Sequence, residues 1–167
     1  MSTDVSNPAD VEHLLWDEIE KHHIGMLILT GGSPRHAQPM AAFVERGRRQ
    51  LWFFGDSASE MGKAIGDKRT QLGMFIWQQG DVRACIGGQI AVQHDRERID
   101  RYWNPMVAAW YPKGKTDPKL TLYVMDCEDA EVWISTAGPI RAVWEVARAN
   151  ATGKTPELGA QTHLDLN

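Results

Sequence analysis

Apolar and polar positions along this chain fall into two rhythms. Val11, Leu14, Leu15 and Ile19 recur at helical spacing, with Glu12, Asp17, Glu18 and Glu20 between them, and predict a helix over about residues 8–22. Asn7 is placed to cap it, and Pro8 falls in the first turn, where a missing N–H costs nothing. The rhythm then shortens to apolar runs of strand length. IGMLILT (Ile24–Thr30), QPMAAFVE (Gln38–Glu45), LWFF (Leu51–Phe54), LGMFIW (Leu72–Trp77), VRACIGGQIAVQ (Val82–Gln93), LTLYVMD (Leu120–Asp126) and AEVWIS (Ala130–Ser135) predict seven strands. Connections such as GGSPRH, RGRRQ and QQGD are too short for crossovers, so neighbouring strands run antiparallel. Gly87–Gly88, inside the fifth run, marks a bulge where the sheet bends hard.

Helices punctuate the strands. GDSASEMGKAIGDK (Gly55–Lys68) reads as a loop entering a short helix, with Ser57 or Ser59 as its cap. Asp95 caps DRERIDRYW, and Asn104 caps a very short helix at Pro105. PIRAVWEVARANA predicts a closing helix over about 139–151, ended by Gly153 and followed by a polar tail. The fold class is therefore mainly β with flanking helices (α+β). It is one small barrel with helices over its ends, a single domain across residues 1–167. No G-x-G-x-x-G sequence and no βαβ rhythm is present, which excludes a Rossmann unit.

Composition narrows the function. With 43% hydrophobic and 24% charged residues the chain is an ordinary globular one, and a net charge of -4 argues against nucleic acid as a partner. The two cysteines, Cys85 and Cys127, match no metal or redox spacing and read as reduced thiols. No apolar run has the length of a membrane span, and the polar start MSTDVSNPADVEH is unlike a secretory signal, so a cytoplasmic address is expected.

Four kinds of chemistry are candidates. A metal site is not expected: His22–His23 are adjacent, His13, His36, His94 and His163 are scattered, and surface histidines explain them all. No nucleophile elbow occurs. The loop GDSASEMGK has hydroxyls and a lysine before a helix start, which suits an anion, although Ser59 as a cap and Lys63 as a solvated charge explain it as well. Finally, WNPMVAAWYP crowds aromatic rings together. The interval from Trp103 to Trp110 places both on one face of a helix, either as a packing hub or as a wall for a flat ligand.

WNPMVAAWYPKGKTDPKLTLYVMDCEDAEVW, with QPMAAF, LWFF and the tail TGKTPELGAQTHLDL, resembles the general stress protein branch of the pyridoxamine 5′-phosphate oxidase-like flavoproteins. The resemblance runs from about Val11 to Leu166. It implies a split β-barrel that forms a homodimer, with FMN in two grooves between protomers. It also implies that Gln38, Pro39, Met40 and Ala41 lie along the flavin ring, and that Phe53, Phe54, Gly55, Asp56, Ser59 and Lys63 form the phosphate side. Trp103, Trp110 and Trp133 would be the aromatic contribution of the partner protomer. Two positions depart from the pattern: Gly55 stands where relatives have threonine, and Met61 where they have a lysine. Arg46, Arg48, Arg49 and Arg69 are the cations available to compensate.

What the resemblance implies about activity is an FMN-dependent oxidoreductase acting on an unknown small molecule, with no catalytic acid or base assigned. The alternative is a non-catalytic sensor or carrier of a flavin or haem, or a dimer that has lost its cofactor. Vitamin B6 oxidation is disfavoured, because the chain lacks the C-terminal Trp-Arg-Leu motif of true pyridoxamine phosphate oxidases.

Overall fold

Asn7 Oδ1 accepts the Ala9 N–H at 3.1 Å, and Pro8 opens the first helix, α1 (Pro8–Lys21), as the sequence predicts. Val11, Leu15, Trp16 and Ile19 are its buried stripe. The computed structural model describes residues 4–32, 34–66 and 70–167, so the expectation for Arg69 lies outside the described residues.

The strands are β1 (Ile24–Leu29), β2 (Gln38–Ala41), β3 (Phe43–Glu45), β4 (Gln50–Asp56), β5 (Gln71–Gln79), β6 (Val82–Gln93), β7 (Leu120–Ser135) and β8 (Gly159–Asp165). All pair antiparallel, in the order β2-β1-β5-β6-β7-β4-β3, with β8 also on β7. Since only Ala42 separates β2 from β3, this order returns to its start and the sheet curls into a barrel.

Three expectations are corrected by this arrangement. Gln38–Glu45 is two strands: its first half pairs with β1 and its second with β4, so it changes neighbours at Ala42. LTLYVMD and AEVWIS are one strand, β7, because no glycine or proline interrupts them. The mismatch is absorbed at Glu128, where the register against β6 shifts between Gly87 and Gly88. Gly88 is needed there, since a side chain would overlap the Asp126 carbonyl. The polar tail holds β8, which pairs with Asp129–Ser135 and sends Leu164 and Leu166 into the core.

Burial alternates along the strands, and Leu27, Phe53, Phe75, Ile86, Ile90, Tyr123, Met125 and Val132 fill the barrel under α1. A second cluster lies outside the barrel wall. There α3 (Arg96–Tyr102) and α4 (Pro105–Ala108) cover Phe43, Trp52, Leu122 and Val124. Arg98 ties this insert down, donating to both Glu45 oxygens at 2.8 and 2.9 Å and lying 4.4 Å over the Trp52 ring. On the opposite outer face, on β1 and β5, Ile24, Met26, Leu72 and Ile76 are exposed, with no helix over them among the described residues. The last helix, α5 (Pro139–Thr152), ends at Gly153 in the left-handed conformation, φ 70°. Among the described residues no helix is long and apolar enough to cross a membrane.

Candidate functional site

The switch of neighbours at Ala42 creates the seam of this barrel. The ladder between β3 and β4 stops at Phe43–Trp52, and the partners of Phe53–Asp56 are all on β7. The partners of β2 are all on β1. One edge of Gln38–Ala41 and one edge of Phe53–Asp56 therefore face the seam without a strand between them. Pro39 suits such an edge, since it has no N–H to offer a ladder.

His23 holds the bend from both sides. Its carbonyl accepts the Ala42 N–H at 2.9 Å, and its Nδ1 lies 3.0 Å from the Ala42 carbonyl oxygen. A carbonyl only accepts, so His23 is protonated at Nδ1 and donates. Its ring also packs on Phe43, with centroids 5.4 Å apart. Sequence reasoning passed over His23 as one of a pair of surface histidines. The only signal available was its place directly before β1.

The predicted ring strand divides by direction. Met40 packs on the barrel core, whereas Ala41 packs on the outer cluster and Pro39 is exposed. On β4, Phe53 is fully buried and packs on Phe75 at 5.4 Å, so only its backbone is available to a ligand. Phe54 points the other way, into an aromatic group with Phe43, Trp103 and Tyr111 at 5.8–6.4 Å.

Gly55 and the loop after it are shaped by one tyrosine. A methyl group on Gly55 would overlap the Tyr123 ring. The Tyr123 hydroxyl also lies under Gly62 and 3.4 Å from the Asp56 carbonyl. The ring thus fills the space that a side chain at Gly55 would need, and desolvation pushes its hydroxyl up to about 12. The Gly55 carbonyl accepts the Tyr111 hydroxyl at 2.8 Å, and burial raises that hydroxyl's pKa as well.

The loop is largely satisfied internally. Asp56 Oδ1 accepts the Ala58 N–H at 2.7 Å, and the Ser59 hydroxyl donates to the Asp56 carbonyl at 2.7 Å. Ser59 Oγ accepts the Gly62 N–H at 2.9 Å, so Ser59 is the cap of α2 (Glu60–Gly66). Lys63 is exposed on α2. Arg46 is bound to Asp17 and Glu20, Arg49 to Glu12, and Arg48 lies 3.6 Å from Glu45. Those three arginines are paired within α1 and the β3–β4 hairpin.

The structure separates the three tryptophans. Trp103 ends α3 and Trp110 follows α4, so they share no helical face and the spacing argument fails: the chain breaks its helix at Asn104. Trp103 is half-buried against its own Phe54 and Tyr111, each at 6.0 Å, and belongs to a packing hub. Trp110 is 80% exposed, and Trp133 is 39% exposed on the outward side of β7. Cys85 and Cys127 are free thiols, Cys127 pushed up to about 12 by burial. Among the described residues no group of three metal-binding side chains converges.

A flat ligand with an anionic tail would find more partners at one end of the seam than at the other. The seam supplies two open strand edges and the half-buried Phe54 for the ring. Among the described residues, the tail end would offer Ser59, whose hydroxyl is already engaged, and Lys63.

The comparisons agree with this architecture. The pattern of the family described as pyridoxamine 5′-phosphate oxidase like matches residues 10–157. A general stress protein 26 structure from Jannaschia sp. CCS1 is similar at TM-score 0.75 and 26% identity, covering 94% of this chain and 99% of that one. A general stress family protein from Xanthomonas campestris pv. campestris reaches 0.70 and 30%, covering 79% and 92%. A general stress FMN/FAD binding protein from Xanthomonas citri reaches 0.68 and 33%, covering 78% and 92%. No curated protein matches the sequence. A curled antiparallel barrel split beside β2, matched by these relatives over most of its length, places the chain in the pyridoxamine 5′-phosphate oxidase-like family, in its general stress protein branch.

Proposed function

We propose that this protein is a homodimeric FMN-binding protein that exchanges hydride or electrons with a small molecule. The observation that carries the proposal is the seam: a single strand leaves one neighbour for another at Ala42 and opens two strand edges side by side. The 33% identical Xanthomonas citri protein, a general stress FMN/FAD binding protein, supports a flavin as the occupant. Bound flavin would supply the redox chemistry at its ring.

The chain's own residues would bind and orient it. Gln38, Pro39, Met40 and Ala41 offer the edge of β2 to the ring, and Phe54 closes one side. Gly55, Asp56, Ser59 and Lys63 would receive the phosphate end, with Lys63 as its cation. The partner protomer would add the exposed Trp110 and Trp133 as the outer wall. Dimerisation has its own physical reason, because Ile24, Met26, Leu72 and Ile76 on β1 and β5 form an apolar face that twofold pairing would cover.

One observation favours a second reading, a flavin carrier rather than an enzyme. The Ser59 hydroxyl is already engaged twice, and the Asp56 carboxylate lies in the same loop, so phosphate would be held weakly. A visible spectrum of freshly purified protein, followed by FMN titration, tests flavin binding. Flavin bands that disappear from the protein on denaturation are expected; colourless protein that takes up no FMN would overturn the proposal. Anaerobic bleaching by NADH or NADPH then separates an enzyme from a carrier. Replacing Ser59 and Lys63 together by alanine is expected to weaken FMN binding about ten- to a hundredfold.

A further inference from the structure

The lysine-rich turn YPKGKTDPK (Tyr111–Lys119) is tied at both ends to the loop after β4. At one end the Tyr111 hydroxyl donates to the Gly55 carbonyl at 2.8 Å. At the other, the Ser57 N–H donates to the Lys119 carbonyl at 2.9 Å, and the Ser57 hydroxyl donates to the Pro118 carbonyl at 3.5 Å. Between these ends the turn closes on itself. The Gly114 N–H donates to the Tyr111 carbonyl at 2.8 Å, and the Asp117 carboxylate accepts the Lys113 and Lys119 N–H groups at 3.3 and 3.0 Å.

Three lysines ride on this turn. Lys115 is bound to Asp100 at 2.7 Å. Lys113 and Lys119 are exposed and, among the described residues, enter no ion pair. The register decides which of them meets the loop. Asp56 and Leu120 are the last pair of the β4–β7 ladder, and the bond from Ser57 to Lys119 carries the pairing one residue further. Residues opposite each other on antiparallel chains project to one side. Lys119 therefore stands beside Ser57, on the loop that leads to Ser59. Met61 offers no cation there, because its side chain is buried in the barrel core. Arg46 and Arg49 are bound to acids of α1.

We propose that Lys119 is a cation for the phosphate end of the flavin, alongside Lys63, and that the turn Tyr111–Lys119 is one wall of that end. The assignment rests on the flavin reading given above and deepens it. It names a residue that a segment distant in sequence brings to the loop, and it gives the site a preference for a phosphorylated flavin. An exposed lysine acts on a phosphate as a flexible point charge. Its contribution is therefore electrostatic, weakened by salt, and confined to ligands that carry the phosphate.

The test titrates FMN and riboflavin, which has the same ring and no phosphate, separately into the full-length protein at low salt, followed by flavin fluorescence. Lys119→Glu changes an exposed side chain and keeps the backbone carbonyl that Ser57 uses, so the fold, followed by circular dichroism, is expected to persist. FMN affinity is expected to fall by about tenfold or more, and riboflavin affinity to stay within about twofold of wild type. Lys154→Glu, in the segment after α5, makes the same change in net charge and is expected to bind FMN as the wild type does. Lys119→Gln keeps the length and removes the charge, and it decides the matter if Lys119→Glu fails to fold. The FMN affinity of the wild type is then expected to fall more steeply with added sodium chloride than that of the variant. Equal loss of FMN and riboflavin, unchanged FMN affinity, or an equal loss in Lys154→Glu would each overturn the assignment and leave the flavin reading standing. A wild type that takes up neither flavin would overturn both.

Discussion

At the scale of single residues, the contact that most constrains the seam is between Tyr123 and Gly55. The tyrosine ring occupies the volume in front of the glycine, and its hydroxyl lies beneath the loop that follows. Gly55→Ala is therefore expected to destabilise the protein by about 1–3 kcal/mol, the usual cost of overpacking a rigid neighbour. Tyr123→Leu should make the alanine tolerable, so that in urea denaturation the double variant loses less than the sum of the single changes. If the two changes simply add, the ring is not what excludes a side chain at Gly55. The sequence displayed Gly55 as a departure from the family pattern. It did not display the reason, which lies on β7, 68 positions further on, in a residue that reads as one more apolar strand position. His23 was hidden in the same way: its role exists only because the chain brings Ala42 back beside it.

At the scale of elements, α3 depends on one arginine. Arg98 donates to both oxygens of Glu45, and its Nη1 reaches Asp95 at 2.5 Å. The bond from Arg98 holds Glu45 below its ordinary pKa, and the Arg98 backbone N–H does most to lower Asp95. Carboxylates depressed in the folded state stabilise it fully above their unfolded values of about 4, and this stabilisation is lost as pH falls through the lower folded values. Arg98→Met is expected to cost about 1.5–3 kcal/mol at pH 7. It should also flatten the fall in urea midpoint between about pH 5 and pH 3 relative to wild type. An unchanged acid profile would mean that the pair does not hold the insert. Element identity was largely legible where periodicity was strong, as in α1, β5 and β6. It was not legible in β8, where the less exposed positions are Ala160, Thr162 and Leu164: one large apolar residue among three does not stand out from a polar tail. Nor did the sequence show that Gln38–Glu45 would split, since nothing local marks Ala42. The split comes from two strands competing for one.

At the scale of the whole molecule, the strand through Ala42 both closes the barrel and borders the seam. The seam cannot widen without breaking the ladder to β1 or the ladder to β4, and each is part of the ring that encloses the core. The strand edges that would border the proposed flavin are thus held in place before it arrives. In stopped-flow mixing, the observed association rate should rise in proportion to flavin concentration, without the plateau that a prior opening step would impose. A receptor built this way would take up its guest at the pace of encounter, which leaves the guest's departure as the step for evolution to tune.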